Sequence, residues 1–386
     1  MNRRKLLAAA LAVWLLACCL MARTLAAPEQ QTGQGAANEG GPQVSAACAA
    51  LVEAETGRVL YAHNGQAKAY MASTTKTMTA LLAIEKGDLA EMVEVPAAAV
   101  GTEGSNVYLV RGERMSLEDL LYGLMLVSGN DAAVAIATHI GGSVEDFAAL
   151  MNAKAAELGC AGTHFVNPNG LPHEDHYTTA LDLAKIAAAA MQNHTFRTIV
   201  GATYHQTATG DRERTFKNKN KILWQYEGGN GVKTGFTKAA GRCLVFSAER
   251  GGMTLVGTVL NAPDMWNDAM ALLDYGFSQV ENRVLTDAAM PLAQIRVERG
   301  QVKMLPVYAA KALSYPVAKD GSDEIAWELN CMESIAAPVA PGDEVGSLTL
   351  LINGAPAKTV PLIVTRSVPY ASISDYLMEL AERWCA

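Results

Sequence analysis

Hydrophobic positions follow two different spacings along the chain, and the spacing changes from region to region. Short apolar runs at 47–52 and 58–62 lie on either side of a Thr-Gly turn signal, which predicts a β-hairpin. The runs 243–248 and 253–260 flank a Gly-Gly turn and predict two further strands. Between these pairs, apolar residues recur at helical spacing in 77–86, 117–127, 131–140 and 179–191. The first part of the chain is therefore predicted to contain both helices and strands.

The pattern changes near Val280. Short strand-like runs follow at 294–297, 324–328, 346–352 and 359–364. The last two are joined by an Asn-Gly hairpin signal. We place a domain boundary here, after a domain over 45–280, and predict a smaller all-β domain over 281–368. Residues 369–386 are predicted to form an amphipathic helix, because apolar residues recur there at steps of three and four. Its stripe consists of Ile373, Tyr376, Leu377, Leu380, Ala381 and Trp384.

The N-terminal segment has the pattern of a secretory signal peptide. Three basic residues precede an apolar run at 6–21, and small residues follow it. We predict a signal peptide at 1–27, a flexible tether at 28–44, and an exported, extracytoplasmic protein. A retained membrane helix is the less favoured alternative, since the apolar run is short. A second alternative is acylation of Cys18, because Leu15-Leu16-Ala17-Cys18 resembles a lipoprotein cleavage box.

Charge and cysteine content exclude several classes of protein. Residues 1–27 hold four basic residues and no acidic one, so the mature chain has 27 basic and 39 acidic residues and a net charge of −12. Such a surface does not suit nucleic acid or an anionic membrane. Five cysteines remain after removal of the leader, at long spacings and without Cys-x-x-Cys. A disulfide framework or a zinc site is therefore not expected.

The first candidate for chemistry is Ser73-Thr74-Thr75-Lys76, at the start of the predicted helix 77–86. Residues three apart lie on one helical face, so the Ser73 hydroxyl and the Lys76 amine can meet. A serine needs a base within hydrogen-bond reach to become a nucleophile, and a lysine can serve if its charged form is disfavoured. Alone, the motif also fits a capping serine followed by a solvated lysine.

Two further motifs follow in order. Ser128-Gly129-Asn130 interrupts two helical patterns, so its polar side chains could project into a cleft or simply form an interhelical turn. Lys233-Thr234-Gly235 is predicted to lie at the start of an edge strand. A lysine and a hydroxyl there could bind a carboxylate, and Gly235 would let a ligand approach the backbone.

Together the three motifs resemble the signature of the penicillin-binding protein and serine β-lactamase superfamily. More narrowly, residues 48–277 resemble the low-molecular-mass D-alanyl-D-alanine carboxypeptidases. The resemblance rests on Ala72-Ser73-Thr74-Thr75-Lys76, Ser128-Gly129-Asn130-Asp131-Ala132, Asn167-Pro168-Asn169-Gly170-Leu171 and Lys233-Thr234-Gly235. It implies an α/β fold with helices packed on an antiparallel sheet, and a smaller C-terminal all-β domain. It also implies removal of the terminal D-alanine from peptidoglycan stem pentapeptides, inhibition by β-lactams, and no metal or cofactor.

The resemblance also implies roles for individual residues. Ser73 would attack the scissile carbonyl, Lys76 would take its proton, and Ser128 would relay a proton to the leaving amine. On the binding side, Asn130 would hold the substrate amide, and Lys233 with Thr234 would recognise the terminal carboxylate. The backbone N–H groups of Ser73 and Phe236 would form the oxyanion hole.

Two departures from the family pattern stand out. Met71 occupies a position that is often proline, with little expected consequence. Relatives often carry a carboxylate-binding arginine after the strand that follows Lys-Thr-Gly, but 261–268 contains no arginine. Either carboxylate binding is weaker here, or Arg242 contributes.

The alternatives are a β-lactam-hydrolysing enzyme and a catalytically silent penicillin-binding protein. The first needs a glutamate in a Glu-x-x-Leu-Asn pattern, which neither Glu157 nor Glu174 provides. All the motif residues are present, which disfavours the second. His173 and His176 lie in a Pro- and acid-rich loop, so we expect a structural or solvated role and no metal. The terminal helix could make a peripheral membrane contact or pack on the β domain.

Overall fold

The computed structural model describes residues 41–210 and 212–385. The predicted signal peptide, Cys18 and most of the predicted tether lie outside the described residues. The helices, in chain order, are α1 (Lys76–Lys86), α2 (Leu117–Leu126), α3 (Asn130–Gly141), α4 (Val144–Glu157), α5 (Ala180–Gln192), α6 (His194–Gly201), α7 (Ile222–Gln225), α8 (Met265–Gln279) and α9 (Ile373–Cys385).

The strands, in chain order, are β1 (Cys48–Glu53), β2 (Val59–His63), β3 (Met92–Glu94), β4 (Arg114–Ser116), β5 (Tyr204–Gln206), β6 (Thr215–Lys217), β7 (Gly229–Thr237), β8 (Gly241–Arg250), β9 (Met253–Leu260), β10 (Val280–Thr286), β11 (Ala293–Glu298), β12 (Met304–Ala309), β13 (Leu313–Ala318), β14 (Ile325–Cys331), β15 (Ser334–Ala336), β16 (Glu344–Ile352) and β17 (Ala355–Val364). A short 3-10 turn, Ala72–Thr75, precedes α1.

A five-stranded antiparallel sheet in the order β2-β1-β9-β8-β7 forms the centre of the first part of the chain. Both faces of this sheet are buried. Ala50 and Val52 of β1 belong to the core shared with α1 to α6, whereas Ala49 and Leu51 belong to the core shared with α8. Because helices cover both faces, the strands read as continuous apolar runs in the sequence. The predicted fold of helices on an antiparallel sheet is confirmed.

Local capping explains where several helices begin. The side chains of Ser116, Ser143 and Thr179 accept hydrogen bonds from the backbone N–H three residues later, at the starts of α2, α4 and α5. Between α2 and α3 the chain turns sharply, with Ser128 at φ 69°. The three sequence motifs lie in three elements. The first lies in the 3-10 turn and the start of α1, the second in the turn before α3, and the third in the edge strand β7.

The all-β region predicted after Val280 is confirmed. A six-stranded sheet in the order β14-β16-β17-β12-β11-β15 encloses its own core, and β10 pairs with β13. Asn353 and Gly354, both at positive φ, form the predicted hairpin between β16 and β17. Two ion pairs, Arg58–Asp323 and Glu55–Lys358, each at 2.6 Å, join the β1–β2 hairpin to this region.

The C-terminal helix α9 lies within the segment 369–386, and its first turn contacts the β region. Lys303 Nζ lies 5.3 Å from the centre of the Tyr376 ring. Ile373, Leu377 and Trp384 nevertheless remain largely exposed, at 80%, 63% and 86%. No helix among the described residues is both long enough and apolar enough to span a membrane.

Candidate active site

Ser73 lies in a tight turn rather than at a helix cap. It is the second residue of the 3-10 turn Ala72–Thr75, and α1 begins only at Lys76. The two threonines of the motif fix this turn, because Thr74 Oγ1 donates to the Met71 carbonyl at 2.5 Å and Thr75 Oγ1 donates to the Ala72 carbonyl at 2.9 Å. The turn leaves Ser73 half-buried and directs it toward Lys76.

Lys76 is fully buried and makes three polar contacts. Its Nζ lies 3.1 Å from Ser73 Oγ and 2.6 Å from both Asn130 Oδ1 and the Asn169 carbonyl oxygen. Burial holds the pKa of Lys76 well below its ordinary value, and the nearby charge of Lys233 lowers it further. Asp131 opposes these effects only in part. The first motif therefore places an amine with a depressed pKa beside a hydroxyl.

The second motif brings Ser128 and Asn130 to two cavities that both border Ser73. Asn130 is the first residue of α3, and its amide orientation is fixed from both ends. Its Oδ1 accepts from Lys76, and its Nδ2 donates to the Glu103 carbonyl at 2.5 Å. Ser128 is buried in the turn before α3 and lines the cavity with Ser73.

The third motif lies in the middle of β7, not at its start as the sequence suggested. The prediction of an edge strand is correct, because β7 ends the central sheet. Lys233 is 1% exposed, and its Nζ donates to the Thr234 carbonyl at 2.9 Å. Its pKa is lowered to about 7, mainly by burial and to a smaller extent by the charge of Lys219. Gly235 packs against the nucleophile turn: a Cβ there would lie 3.0 Å from the Ser73 backbone nitrogen. Phe236 is 65% exposed beside it.

Two cavities meet at Ser73. The first has a volume of about 440 Å³, and its lining includes Ser128, Thr234, Lys219 and Arg242. The second, of about 480 Å³, extends to the other side and includes Asn130. The six other residues predicted for the site thus lie close to Ser73, with Lys76 and Lys233 buried beneath the cavity surface.

Sequence reasoning missed several residues of the site. The motif Asn167-Pro168-Asn169-Gly170-Leu171 suggests no role for Asn169, although its carbonyl contacts Lys76. Lys219, Met265 and Trp266 also line the first cavity, but they come from segments without a recognisable pattern. Arg242, which the sequence suggests only as an alternative carboxylate ligand, lies in the same cavity on β8, opposite Phe236 on β7.

The residues that other functions would require do not line the two cavities that meet at Ser73. Glu157 accepts a hydrogen bond from Lys154 Nζ at 2.9 Å, and Glu174 lines a separate surface cavity with Tyr70 and Tyr177. Neither glutamate lines the two cavities that meet at Ser73. His176 is 2% exposed, and its Nε2 lies 2.8 Å from Thr75 Oγ1.

Comparison with known families agrees with this geometry. A family model described as D-alanyl-D-alanine carboxypeptidase matches residues 34–264. A second model, described as penicillin-binding protein 5, C-terminal domain, matches residues 281–370. The two matches cover the helical and sheet region that holds the cavity and the β region that follows it.

Individual relatives show similarity along most of the chain. The chain is 34% identical over 348 residues to the D-alanyl-D-alanine carboxypeptidase DacF of Bacillus subtilis, which covers 87% of this chain and 89% of that protein. It is 37% identical over 258 residues to the D-alanyl-D-alanine carboxypeptidase of Streptomyces sp. strain K15. This alignment covers 61% of this chain and 89% of that protein.

Solved structures with the same fold include one relative that aligns with most of this chain and a shorter one that aligns with less of it. Penicillin binding protein 5 from Haemophilus influenzae aligns with a TM-score of 0.63 at 28% identity, covering 85% of this chain and 98% of that chain. The DD-transpeptidase of Streptomyces K15 aligns with a TM-score of 0.58 at 37% identity, covering 61% of this chain and 98% of that chain.

Proposed function

The chain belongs to the D-alanyl-D-alanine carboxypeptidase family, and from this premise we propose that Ser73 is the nucleophile that cleaves the terminal D-Ala-D-Ala bond of peptidoglycan stem peptides. The enzyme is a serine-type carboxypeptidase. The observation that carries the assignment of Ser73 is its contact with buried Lys76, whose Nζ lies 3.1 Å from Oγ. A serine hydroxyl without such a base reacts slowly at neutral pH.

The acylation step follows from the three contacts of Lys76. In its neutral form the amine donates its two hydrogens to Asn130 Oδ1 and the Asn169 carbonyl, which leaves its lone pair for the Ser73 hydroxyl proton. Ser73 Oγ then forms a bond to the scissile carbonyl carbon as Lys76 takes that proton. The C–N bond breaks, and the departing D-alanine amine receives a proton through Ser128. Water later hydrolyses the ester and regenerates the Ser73 hydroxyl.

The negative charge that develops on the scissile carbonyl oxygen must be stabilised by hydrogen-bond donors at the nucleophile turn. We assign this role to the backbone N–H groups of Ser73 and Phe236. Gly235 supports the assignment, because a Cβ at this position would lie 3.0 Å from the Ser73 nitrogen and would crowd the same space. Asn130, whose amide is held at both ends, would position the peptide amide of the substrate.

The terminal carboxylate would bind on the β7 side of the first cavity. Thr234 and Arg242 line this cavity, and Lys233 lies beneath it. We propose Arg242 as the residue that replaces the arginine missing from 261–268, because a guanidinium can hold a carboxylate with two parallel hydrogen bonds. Lys219, which also lines the cavity, adds positive charge there.

The same site is expected to be acylated by β-lactams, since these also present a carbonyl and a nearby carboxylate. Net β-lactam hydrolysis should be slow. Glu157 and Glu174, the glutamates considered for activating a deacylating water, do not line the cavities at Ser73. The acyl-enzyme formed with penicillin should therefore persist.

The family acts outside the cytoplasm, where peptidoglycan lies. For this chain we propose either the cell wall or the outer face of the cytoplasmic membrane as the site of action. The exposed stripe of α9, including Ile373, Leu377 and Trp384, supports a peripheral membrane contact. The acidic residues in this segment oppose tight binding to an anionic surface.

Mass spectrometry of the intact mature protein after exposure to penicillin tests the nucleophile and the mechanism together. We expect a single adduct with the mass of one penicillin, and release of D-alanine from a D-Ala-D-Ala peptide. Ser73→Ala should abolish both. An adduct that persists in this variant would refute the assignment of Ser73, and an unlabelled wild-type protein would refute the proposed function.

A further inference from the structure

His176 makes two hydrogen bonds that together define its protonation state. The Val166 backbone N–H donates to Nδ1 at 3.1 Å, so Nδ1 carries no proton. The ring proton therefore lies on Nε2, which donates to Thr75 Oγ1 at 2.8 Å. The contact with Thr75 is buried and the contact with Val166 is partly buried, and only the neutral imidazole satisfies both. A second proton, on Nδ1, would face the Val166 N–H.

The hydrogen-bonded chain continues from Thr75 to the nucleophile. Thr75 Oγ1 accepts from His176 and donates its own hydrogen to the Ala72 carbonyl at 2.9 Å. That carbonyl belongs to the same peptide group as the Ser73 backbone N–H. Because a peptide group is planar, fixing the direction of the Ala72 C=O also fixes the direction of the Ser73 N–H.

The backbone at this point needs external support. Ala72 has a φ of 47°, a left-handed conformation that a residue with a side chain adopts at an energetic cost. Gly170 contacts the same carbonyl from another element: a Cβ there would lie 1.9 Å from the Ala72 oxygen. The segment that contains Gly170 and His176 thus contacts the Ala72–Ser73 peptide through a backbone approach and, by way of Thr75, through a side chain.

We propose that His176 is a positioning residue for the acylation step: through Thr75 it orients and polarises the Ala72–Ser73 peptide so that the Ser73 N–H stabilises the oxyanion of the transition state. The proposal rests on the proposed role of Ser73 as nucleophile. Hydrogen bonds in series polarise one another, so a carbonyl that accepts from Thr75 leaves its peptide N–H a better donor.

The electrostatic surroundings keep the imidazole in the form that this role needs. Burial lowers the pKa of His176 to about 4, and electrostatic interactions with His164, His173 and Lys76 act in the same direction. The ring is therefore uncharged at neutral pH. An uncharged donor can orient the peptide without placing a cation beside Lys76, which becomes charged when it takes the Ser73 proton.

The test compares variants that remove one link of the chain at a time. His176→Phe keeps an aromatic ring but removes both hydrogen bonds, and Thr75→Val removes the hydroxyl while preserving the shape of the side chain. His176→Gln retains a donor at the end of the side chain and serves as the rescue variant. The control is Thr258→Val, which removes a buried hydroxyl that donates to the Ala180 carbonyl at 2.7 Å, away from the nucleophile turn.

The readouts are kcat and KM for D-alanine release, the rate of penicillin acylation, and the melting temperature. For His176→Phe and Thr75→Val we expect kcat and the acylation rate to fall at least about tenfold, with KM changed less than about twofold. His176→Gln should recover most of the loss. Because the two residues act in series, the double variant should be no slower than the slower single variant.

The opposite outcomes are equally specific. Thr258→Val should lose melting temperature but keep kcat. If His176→Phe and Thr75→Val behave in the same way, both residues are only structural and the proposal is wrong. Multiplicative losses in the double variant would also overturn it. If His176→Phe does not fold, Thr75→Val tests the proposal by itself. An unchanged kcat in Thr75→Val would show that Thr75 does not act on Ser73 and would refute the proposal. Absence of acylation in the wild-type enzyme would instead refute the proposed function, and this inference with it.

Discussion

Lys76 Nζ lies 2.6 Å from the backbone carbonyl oxygen of Asn169. Together with Asn130 Oδ1 at the same distance, this carbonyl provides an acceptor for each hydrogen of a neutral amine. The lone pair of the amine is then available for the third contact, with Ser73 Oγ at 3.1 Å. The arrangement suits a lysine that acts as a base, because burial already disfavours its charged form.

Lys76→Ala should therefore abolish most of the activity while leaving the protein folded. Loss of a positioned general base typically costs roughly 10²–10⁴-fold in rate. The change also removes a buried amine, so no charge is left without a partner. Penicillin labelling and D-alanine release measure the effect, and a circular dichroism spectrum checks the fold. Labelling at the wild-type rate would show that another group takes the Ser73 proton.

The three motifs could be predicted from the sequence because each is short and its residues act through their own side chains. The Asn169 carbonyl could not, since any residue can present a backbone carbonyl. Lys219 and Trp266 reach the cavity from distant segments, which only the packing of the sheet and α8 brings to Ser73. The position of Ser73 in a 3-10 turn depends on the side-chain hydrogen bonds of Thr74 and Thr75.

Lys233 should give the enzyme an alkaline limit. Its pKa is lowered to about 7, so it is a cation below neutral pH and loses its charge as the pH rises. If the cation attracts the substrate carboxylate, KM for a D-Ala-D-Ala peptide should rise between about pH 7 and pH 9. Lys233→Arg should remove this rise, because a guanidinium stays protonated throughout the range. A wild-type KM that is constant from pH 6 to 9 would contradict the assigned charge state.

Gly170 should not tolerate a side chain. It has a φ of 88°, and a Cβ would lie 1.9 Å from the Ala72 carbonyl oxygen. Gly170→Ala should therefore lower the free energy of unfolding by roughly 2–4 kcal/mol and reduce acylation as well. Gly142 is a matched control: its φ is 84°, but a Cβ there would meet nothing within 4 Å. Gly142→Ala should cost only about 1 kcal/mol and leave acylation unchanged. Equal losses in the two variants by urea unfolding would show that the contact with Ala72 has no effect.

Arg242 should contribute to binding of the terminal carboxylate. Arg242→Leu removes a charge-assisted hydrogen bond worth about 1.5–3 kcal/mol, so KM should rise about 10- to 100-fold with little change in kcat. A peptide that ends in D-Ala-D-Ala-amide provides the matched comparison. It has no terminal carboxylate, so Arg242→Leu should leave KM for this peptide almost unchanged. Arg111→Leu, a change at an exposed arginine outside the cavity lining, is the control for net charge. A loss that is the same for acid and amide would assign Arg242 to structure rather than to carboxylate recognition.

The exposed face of α9 predicts a weak and salt-dependent contact with membranes. Ile373, Leu377 and Trp384 are largely exposed, and the first turn of the helix already contacts the β region through Tyr376. Burial of this stripe in a bilayer surface would be favourable. The same segment, however, contains three acidic residues and a single arginine, which anionic lipids repel.

Because added salt screens this repulsion, binding to anionic vesicles should strengthen as ionic strength rises from about 10 to 150 mM. Co-sedimentation of the mature protein with such vesicles measures the effect, and a variant that ends before Ser372 is the control. Leu377→Glu tests the apolar stripe without truncation and should abolish the sedimenting fraction. Tight, salt-independent binding that vanishes on truncation would show that the apolar face dominates. Equal sedimentation of the truncated protein would place any membrane contact outside α9.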